Sequence, residues 1–323
     1  MKVVYIAHPG IEEPWYTDFK TALGDRFPHS VLDRDAPLGP QFDGVRVVVD
    51  QGGQATRPMI DAGAEAGVVL WQAVTTGLDH TDVAYILSKG IRLANTPGQF
   101  SAIALAEHSL FLMLAIAKKL RSAELNLRAG VMYQPLTEEL AGSTLGLIGL
   151  GASGKELARR AKAFEMRVIA LDAVAVPAEE SADAGVERFG GPEMLDELLR
   201  ESDYVSLHVP LTAATRHLID AEKLALMKPT AVLINVARGE IVDEAALTDA
   251  LLAGRLGGAG IDVFSREPPD TSSPLFRLDN VISTPHVAGT TFGTSRRRGE
   301  ASVENIVRID AGLPPLFEVT SAG

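Results

Sequence analysis

The stretch Ser143–Asp172 has the sequence STLGLIGLGASGKELARRAKAFEMRVIALD, and it decides how the rest of the chain is interpreted. Its first part, up to Leu150, is a short apolar run of the kind that a strand buried in a parallel sheet requires. A glycine turn overlaps the end of this run at Gly149–Gly154, and a second apolar segment ends at Asp172. The stretch therefore predicts a strand, a tight turn, a helix and a second strand, in that order.

The glycine turn, GLGASG, predicts a phosphate site for a dinucleotide. Gly149 permits the tight turn, Gly151 lets the backbone approach a pyrophosphate, and Gly154 lets the helix pack closely on the strand. The unpaired N–H groups and the dipole at the start of that helix, around Ala152 and Ser153, favour negative charge.

Asp172 follows Gly149 by 23 residues. This is close to the spacing of about 20 residues at which a carboxylate accepts hydrogen bonds from an adenosine ribose. No Arg or Lys occurs from Ala173 to Asp183 to receive a 2′-phosphate. We therefore expect NAD as the cofactor rather than NADP.

Composition limits the classes of protein to consider. A chain of 323 residues exceeds the ~250–300 at which one core stops growing, so two domains are expected. It has no cysteine, which excludes disulfides and thiolate chemistry. The net charge of −12 argues against nucleic acid or an anionic membrane as a partner. The N-terminal residues lack the apolar run of a signal peptide, and we expect a cytoplasmic protein.

The rest of the chain alternates strands and helices. Two open sheets are expected, the first from the N-terminal 95 residues and the second, doubly wound with six parallel strands, around the glycine turn. The C-terminal helix, at 294–310, should return to the first sheet. The predicted strands lie at 2–7, 45–50, 68–71, 91–94, 145–150, 166–171, 203–208, 231–235, 258–262 and 281–283.

The segment Ser101–Leu120 is predicted to be one long helix that is apolar around most of its circumference. Such a helix must be buried on several sides, and we expect it to form the contact of a homodimer. His108 and Glu107 on this helix are expected to be packed or solvated rather than catalytic. A polar connection is expected from Leu125 to Leu140.

Three charged side chains follow three predicted strands of the second sheet. They are Arg238, Glu267 and His286. The fork of an arginine can donate two parallel hydrogen bonds to a carboxylate, and an imidazole beside a carboxylate can act as a general acid or base. The carboxyl ends of parallel strands meet at one edge, where ligands bind in open α/β sheets. We therefore expect these charges to lie together at a catalytic site.

Five segments resemble signatures of the D-isomer-specific 2-hydroxyacid dehydrogenase family, and the likeness covers nearly the whole chain. The family has an α/β fold of two doubly wound parallel-sheet domains. The resemblance implies a Rossmann NAD domain, 98–285, inserted into a flavodoxin-like substrate domain, 1–97 and 286–323. The segments are GLGASG with its Asp172, LHVPLTAATRHLID (207–220), LINVARGEIVDEAAL (233–247), IDVFSREPP (261–269) and TPHVAG (284–289).

The resemblance also implies an activity, which is hydride transfer between NAD(H) and a small 2-oxo acid or D-2-hydroxy acid, with substrates like glyoxylate and hydroxypyruvate favoured. By this likeness Arg238 binds the substrate carboxylate and polarises its carbonyl, His286 is the acid/base, and Glu267 orients and charges that histidine. Thr76 and Gly77 would bind the substrate carboxylate through backbone N–H groups. The implied cofactor contacts are Gly149, Gly151, Ala152, Ser153, Gly154, Asp172, His208, Pro210, Ala237, Asp262 and His286.

Two departures from the family pattern and two other functions stay open at this point. Ala152 and Ser153 stand where the family has a long polar or basic residue and a branched apolar one, and the loop before Gly77 lacks the usual small residues. A non-catalytic NAD-binding regulator on the same fold is one alternative function, and a formate or phosphite dehydrogenase of the superfamily is the other. We expect no metal, because the seven histidines show no ligand spacing such as HExxH.

Overall fold

The computed structural model describes residues 1–11 and 13–320 and divides the chain into two compact units. The outer unit comprises Met1–Phe100 and Thr291–Gly323, and the inserted unit comprises Ser101–Thr290. Each unit has its own parallel sheet covered by helices. Among the described residues, no helix is both long enough and apolar enough to cross a bilayer.

The strands are β1 Lys2–Ile6, β2 His29–Val31, β3 Val45–Gln51, β4 Leu70–Val74, β5 Arg92–Ala94, β6 Thr144–Ile148, β7 Arg167–Leu171, β8 Arg188–Gly190, β9 Tyr204–Leu207, β10 Val232–Asn235, β11 Gly258–Ile261, β12 Val281–Ser283 and β13 Glu318–Val319. The α-helices are α1 Trp15–Leu23, α2 Leu38–Phe42, α3 Arg57–Ala66, α4 Val83–Ser88, α5 Ala102–Ala117, α6 Leu120–Arg128, α7 Ala152–Ala163, α8 Ala178–Asp183, α9 Leu195–Glu201, α10 Ala221–Leu226, α11 Glu244–Leu252 and α12 Phe292–Asp310.

The outer unit has the strand order β2-β1-β3-β4-β5, all parallel, and β13 adds to β5 in the antiparallel direction. This order is that of the flavodoxin-like doubly wound fold. The C-terminal tail returns to this sheet, as the sequence predicted, since α12 packs on α1 and β4. The core combines side chains of the strands and of the helices packed on them, and its bulkiest fully buried members include Trp71 and Tyr5 of the strands and Phe19 of α1.

The inserted unit has the order β8-β7-β6-β9-β10-β11-β12, again parallel throughout. Counted from β6, the first six strands follow the Rossmann order 3-2-1-4-5-6, and β12 extends the sheet beyond it. The predicted count of six strands was wrong by one, because β8 was missed. With three half-buried residues, β8 is too short to show a strand period in the sequence.

The predicted single helix over 101–120 was also wrong at its end. Helix α5 stops at Ala117, and Lys119 adopts a left-handed conformation with φ 50° that turns the chain. A separate helix, α6, then occupies Leu120–Arg128, so the polar connection predicted from Leu125 to Leu140 begins inside a helix. The sequence pattern did not reveal the break, because a lysine rather than a glycine or proline makes the left-handed turn.

Candidate active site

The glycine turn joins β6 to α7 with the geometry that a pyrophosphate site requires. Gly149 has φ 99°, and a Cβ there would lie 2.6 Å from the carbonyl oxygen of His208. A Cβ at Gly154 would overlap the carbonyl oxygen of Gly149. At Gly151 a Cβ would meet no described atom within 4 Å, so this position faces open space beside the start of α7, where N–H groups favour phosphate. The turn therefore fits an NAD pyrophosphate.

Asp172 follows β7 and is bonded to the glycine turn itself. One carboxylate oxygen accepts the N–H of Leu150 at 2.7 Å, and the other accepts the N–H of Val174 at 2.9 Å. A carboxylate oxygen can accept more than one hydrogen bond, so these contacts leave capacity for ribose hydroxyls. Asp172 thus supports the turn in addition to the ribose contact expected from its spacing.

His208 lies beneath the same turn. Its Nδ1 is 3.0 Å from the hydroxyl of Ser153, and its Nε2 is 2.9 Å from the hydroxyl of Ser206. Burial lowers the pKa of the His208 imidazole to about 4, so the ring is neutral at physiological pH. Ser153, one of the departures from the family pattern, is held in place by this ring. Pro210 is exposed two residues further on, and its carbonyl accepts from Thr215.

Arg238 follows β10 and is half-buried. The preceding residues form a tight turn, in which Asn235 donates to the Arg238 carbonyl at 2.9 Å and accepts the N–H of Ala237 at 3.1 Å. The next residue, Gly239, packs so closely on the backbone of Phe264 that a Cβ would overlap it. Close packing of this kind brings the turn that carries Arg238 against the loop that leads to Glu267.

Glu267 and His286 form a hydrogen-bonded pair. The distance from His286 Nδ1 to Glu267 Oε2 is 2.7 Å, and the other carboxylate oxygen accepts the N–H of Phe264 at 3.1 Å. Burial acts to raise the pKa of the Glu267 carboxyl, but the hydrogen bond and charge of His286, the Phe264 N–H and the charge of Arg238 together lower it below its usual value. The side chains of His286 and Glu267 are 45% and 37% exposed, so a small substrate can reach the imidazole.

Because Nδ1 of His286 is bonded to the carboxylate, Nε2 is the ring atom that can exchange a proton with a substrate. An imidazole that a carboxylate holds in this way has the arrangement of a general acid oriented by a third group. Within the inserted unit, His286 contacts Glu267, and the charge of Arg238 is close enough to act on the same carboxylate. Asp262 follows β11, and its carboxylate is fully buried against the loop that carries His286.

Thr76 and Gly77 belong to the outer unit, in the loop after β4. The carbonyl of Thr76 accepts from Asn95 at 3.0 Å, and that of Gly77 accepts from Thr75 at 3.0 Å. Their N–H groups make no backbone hydrogen bond within the described part of the chain. Arg298 of α12 donates to the Thr76 hydroxyl at 2.7 Å.

Arg298 was missed by the sequence analysis, and so were the partners of His108. The only signal for Arg298 was the run Arg296–Arg298 in the tail helix. His108, expected to be packed or solvated, lies 2.9 Å from the hydroxyl of Thr284, near the buried Asp262. No group of His, Asp and Glu in residues 1–11 and 13–320 is arranged to hold a metal ion.

Comparison with known proteins places these features in one family. Residues 110–288 match the model of the D-isomer specific 2-hydroxyacid dehydrogenase NAD binding domain. A hydroxypyruvate reductase of Thermotoga maritima is 41% identical over 284 residues, covering 87% of this chain and 89% of that protein. A glyoxylate reductase of Korarchaeum cryptofilum is 39% identical over 264 residues, covering 80% and 77%.

A solved structure extends the likeness to the whole chain. The acyclic imino acid reductase Bsp5, in complex with NADPH and D-Arg, has a TM-score of 0.81 and 29% identity, covering 99% of this chain and 100% of that one. The strand orders, the glycine turn and these matches agree. The chain therefore belongs to the D-isomer-specific 2-hydroxyacid dehydrogenase family and is an NAD-dependent oxidoreductase that interconverts 2-oxo acids and 2-hydroxy acids.

Proposed function

We propose that this enzyme reduces small 2-oxo acids of the glyoxylate and hydroxypyruvate type with NADH, using Arg238, Glu267 and His286. The observation that carries the proposal is the 2.7 Å contact between His286 Nδ1 and Glu267 Oε2, which leaves Nε2 for proton transfer. The charge of Arg238 acts on the same carboxylate. The two relatives named above, a hydroxypyruvate and a glyoxylate reductase, support the choice of substrate.

The proposed mechanism assigns one task to each of these residues. Bound NADH supplies the hydride. Arg238 holds the substrate carboxylate with its fork and polarises the carbonyl. His286 donates a proton from Nε2 to the carbonyl oxygen, and Glu267 stabilises the protonated ring through Nδ1. In the reverse direction the neutral ring accepts the proton from the hydroxyl of the 2-hydroxy acid.

The cofactor contacts carried over from the family stay part of this proposal. The glycine turn would hold the pyrophosphate, and Asp172 the ribose. Asp262 would hold the nicotinamide carboxamide. Further contacts are proposed at His208, Pro210, Ala237 and His286.

A panel of substrates tests the proposal. Glyoxylate, hydroxypyruvate, pyruvate and phenylpyruvate are each assayed with NADH, and formate and phosphite are each assayed with NAD. We expect the highest kcat/KM for glyoxylate or hydroxypyruvate, the substrates named in the two relatives above. A preference for phenylpyruvate, or turnover of formate or phosphite alone, would refute the proposed substrate class.

We also propose that the enzyme is a cytoplasmic homodimer. Helices α5 and α6 and the loop after them expose several large apolar side chains, and an apolar surface of this kind is typical of an interface. The absence of cysteine agrees with a reducing compartment. The exposed apolar side chains are Ile103, Phe111, Leu120, Leu125, Leu127, Val131, Met132, Tyr133 and Leu136.

The dimer can be tested by one substitution on this surface. Phe111→Asp places a charge in the proposed interface, and we expect sedimentation to change from a dimer to a monomer. Leu252→Asp is the matched control, because Leu252 is also exposed but lies on α11. Wild-type protein that sediments as a monomer at micromolar concentration would contradict the proposal.

NADH is expected to be preferred over NADPH. Asp172 would repel a 2′-phosphate, and 173–183 contains no basic residue to receive one. Asp172→Asn removes the charge and keeps the shape, so it should raise kcat/KM with NADPH relative to NADH. Asp183→Asn, at an exposed acid after the same strand, should not change this ratio. A wild-type enzyme that favours NADPH would show that Asp172 does not have this role.

Arg238→Ala is expected to remove substrate binding and carbonyl polarisation. A charge-assisted hydrogen bond contributes about 1.5–3 kcal/mol, so the loss of two should lower kcat/KM at least ~100-fold. Arg238→Lys should recover only part of the loss because lysine lacks the fork. The Kd for NADH, measured by fluorescence, should stay near the wild-type value in both variants. The exposed Arg255→Ala is the control, and near-normal kcat/KM in Arg238→Ala would remove Arg238 from the site.

Glu267→Gln tests the pair through its pH dependence. The carboxylate favours the protonated ring, so its loss should move the alkaline limit of kcat/KM for reduction to lower pH. In the wild type the pKa of Glu267 is lowered below its ordinary value of 4.5. The carboxylate therefore stays charged, and the pair with His286 is kept, until the pH falls through that lowered pKa. The exposed Glu222→Gln should leave the profile unchanged.

His286→Ala completes this test. Removal of a general acid should lower kcat about 10²–10⁴-fold while NADH still binds. An unchanged alkaline limit in Glu267→Gln would show that Glu267 is not the functional partner of His286. Turnover of His286→Ala within a few-fold of wild type would identify another group as the acid.

A further inference from the structure

His286 has a strained backbone. Its φ is 56°, in the left-handed region that residues other than glycine rarely adopt. Such a conformation is unfavourable by itself and persists only where the surrounding structure enforces it. The contacts that enforce it therefore determine where the imidazole is placed.

Asp262 provides these contacts. Its backbone carbonyl accepts the N–H of His286 at 2.8 Å. Its carboxylate accepts the N–H of Val287 at 2.9 Å through Oδ1 and the N–H of Ala288 at 2.8 Å through Oδ2. One residue at the end of β11 thus binds three consecutive N–H groups of the His286 loop, and its side chain is fully buried.

The orientation of that carboxylate is set by a second pair of residues. The hydroxyl of Thr284 donates to Asp262 Oδ1 at 2.5 Å, and Nε2 of His108 lies 2.9 Å from the same hydroxyl. Since the hydroxyl proton goes to the carboxylate, the oxygen of Thr284 must accept the proton on His108 Nε2. The direction of the chain is therefore His108 to Thr284 to Asp262.

His108 acts in this chain as a neutral ring. Burial lowers the pKa of its imidazole, and the nearby charge of Asp262 opposes this effect only in part. At neutral pH the contact is therefore a hydrogen bond through Thr284, although Nε2 is only 3.6 Å from Asp262 Oδ1. A neutral donor of fixed tautomer orients the carboxylate without removing its charge.

We propose that His108 is a positioning residue of the active site, which acts through Thr284 on Asp262 and so holds His286 in its left-handed conformation. In this proposal neither His108 nor Thr284 touches the reacting atoms. The inference rests on the proposed role of His286 as the proton donor. It gives helix α5 a function in catalysis besides its packing on the sheet.

Two pairs of variants test this chain of hydrogen bonds. His108→Leu and Thr284→Val remove it, and a displaced acid should lower kcat about 10- to 100-fold. KM for the 2-oxo acid should change much less, because Arg238 is untouched. His108→Gln and Thr284→Ser each keep a donor or a hydroxyl at the same place, and both should restore most of the lost turnover. The double variant His108→Leu/Thr284→Val should be no worse than either single one.

Amide hydrogen exchange gives a measurement that does not depend on activity. The N–H groups of His286, Val287 and Ala288 should exchange faster in His108→Leu and Thr284→Val than in the wild type, with unchanged exchange in the strands of the outer unit. Thermal unfolding confirms that each variant is folded. If His108→Leu does not fold, Thr284→Val and Thr284→Ser decide the question alone.

The outcomes separate this inference from the proposed function. Wild-type turnover and exchange in the folded removal variants would overturn the inference, and so would equal losses in the removal and the conservative variants or additive losses in the double variant. A wild type that reduces no 2-oxo acid would instead refute the proposed function, and the exchange measurement would still decide whether His108 positions the loop.

Discussion

The arrangement of the proposed catalytic charges depends on the register of three parallel strands. Asn235 pairs with Ile261, and Ile261 pairs with Ser283, so β10, β11 and β12 end at the same level. The loops that carry Arg238, Glu267 and His286 consequently begin side by side. A slip of one residue would turn every side chain of a strand to the other face, and the buried core on both faces of this sheet prevents it. The hydrophobic core thus determines the geometry of the charges.

The site is built from a few local positive charges on an acidic protein. The net charge of −12 repels an anionic substrate at long range, so binding depends on groups placed within contact distance. Arg238 is close enough to lower the pKa of Glu267, and His286 contributes more to the same shift. A carboxylate between two such groups keeps its charge, and it therefore orients the imidazole over the whole physiological pH range.

Features that depend on local sequence could be predicted, and features that depend on distant contacts could not. The glycine turn, both sheets and the positions of Arg238, Glu267 and His286 after their strands follow from residue patterns within short segments. Strands β2 and β8 and helices α1 and α2 were not predicted, because they are short and owe their form to packing on neighbours. The His108–Thr284 contact joins residues 176 apart in sequence, and no spacing rule reports such a contact. Asp172 was identified by its spacing from Gly149, but its hydrogen bond from the N–H of Leu150 is visible only in the structure.

Three histidines of the inserted unit, His108, His208 and His286, lie in different environments. His208 is held between two serine hydroxyls, and burial alone lowers its pKa to about 4. His108 is also kept neutral by burial, which outweighs the charge of Asp262. His286 differs from both, because it is 45% exposed and bonds directly to a carboxylate. The fold therefore uses two neutral rings as hydrogen-bonding supports, and it leaves His286, the proposed proton donor, bonded to a carboxylate and open to solvent.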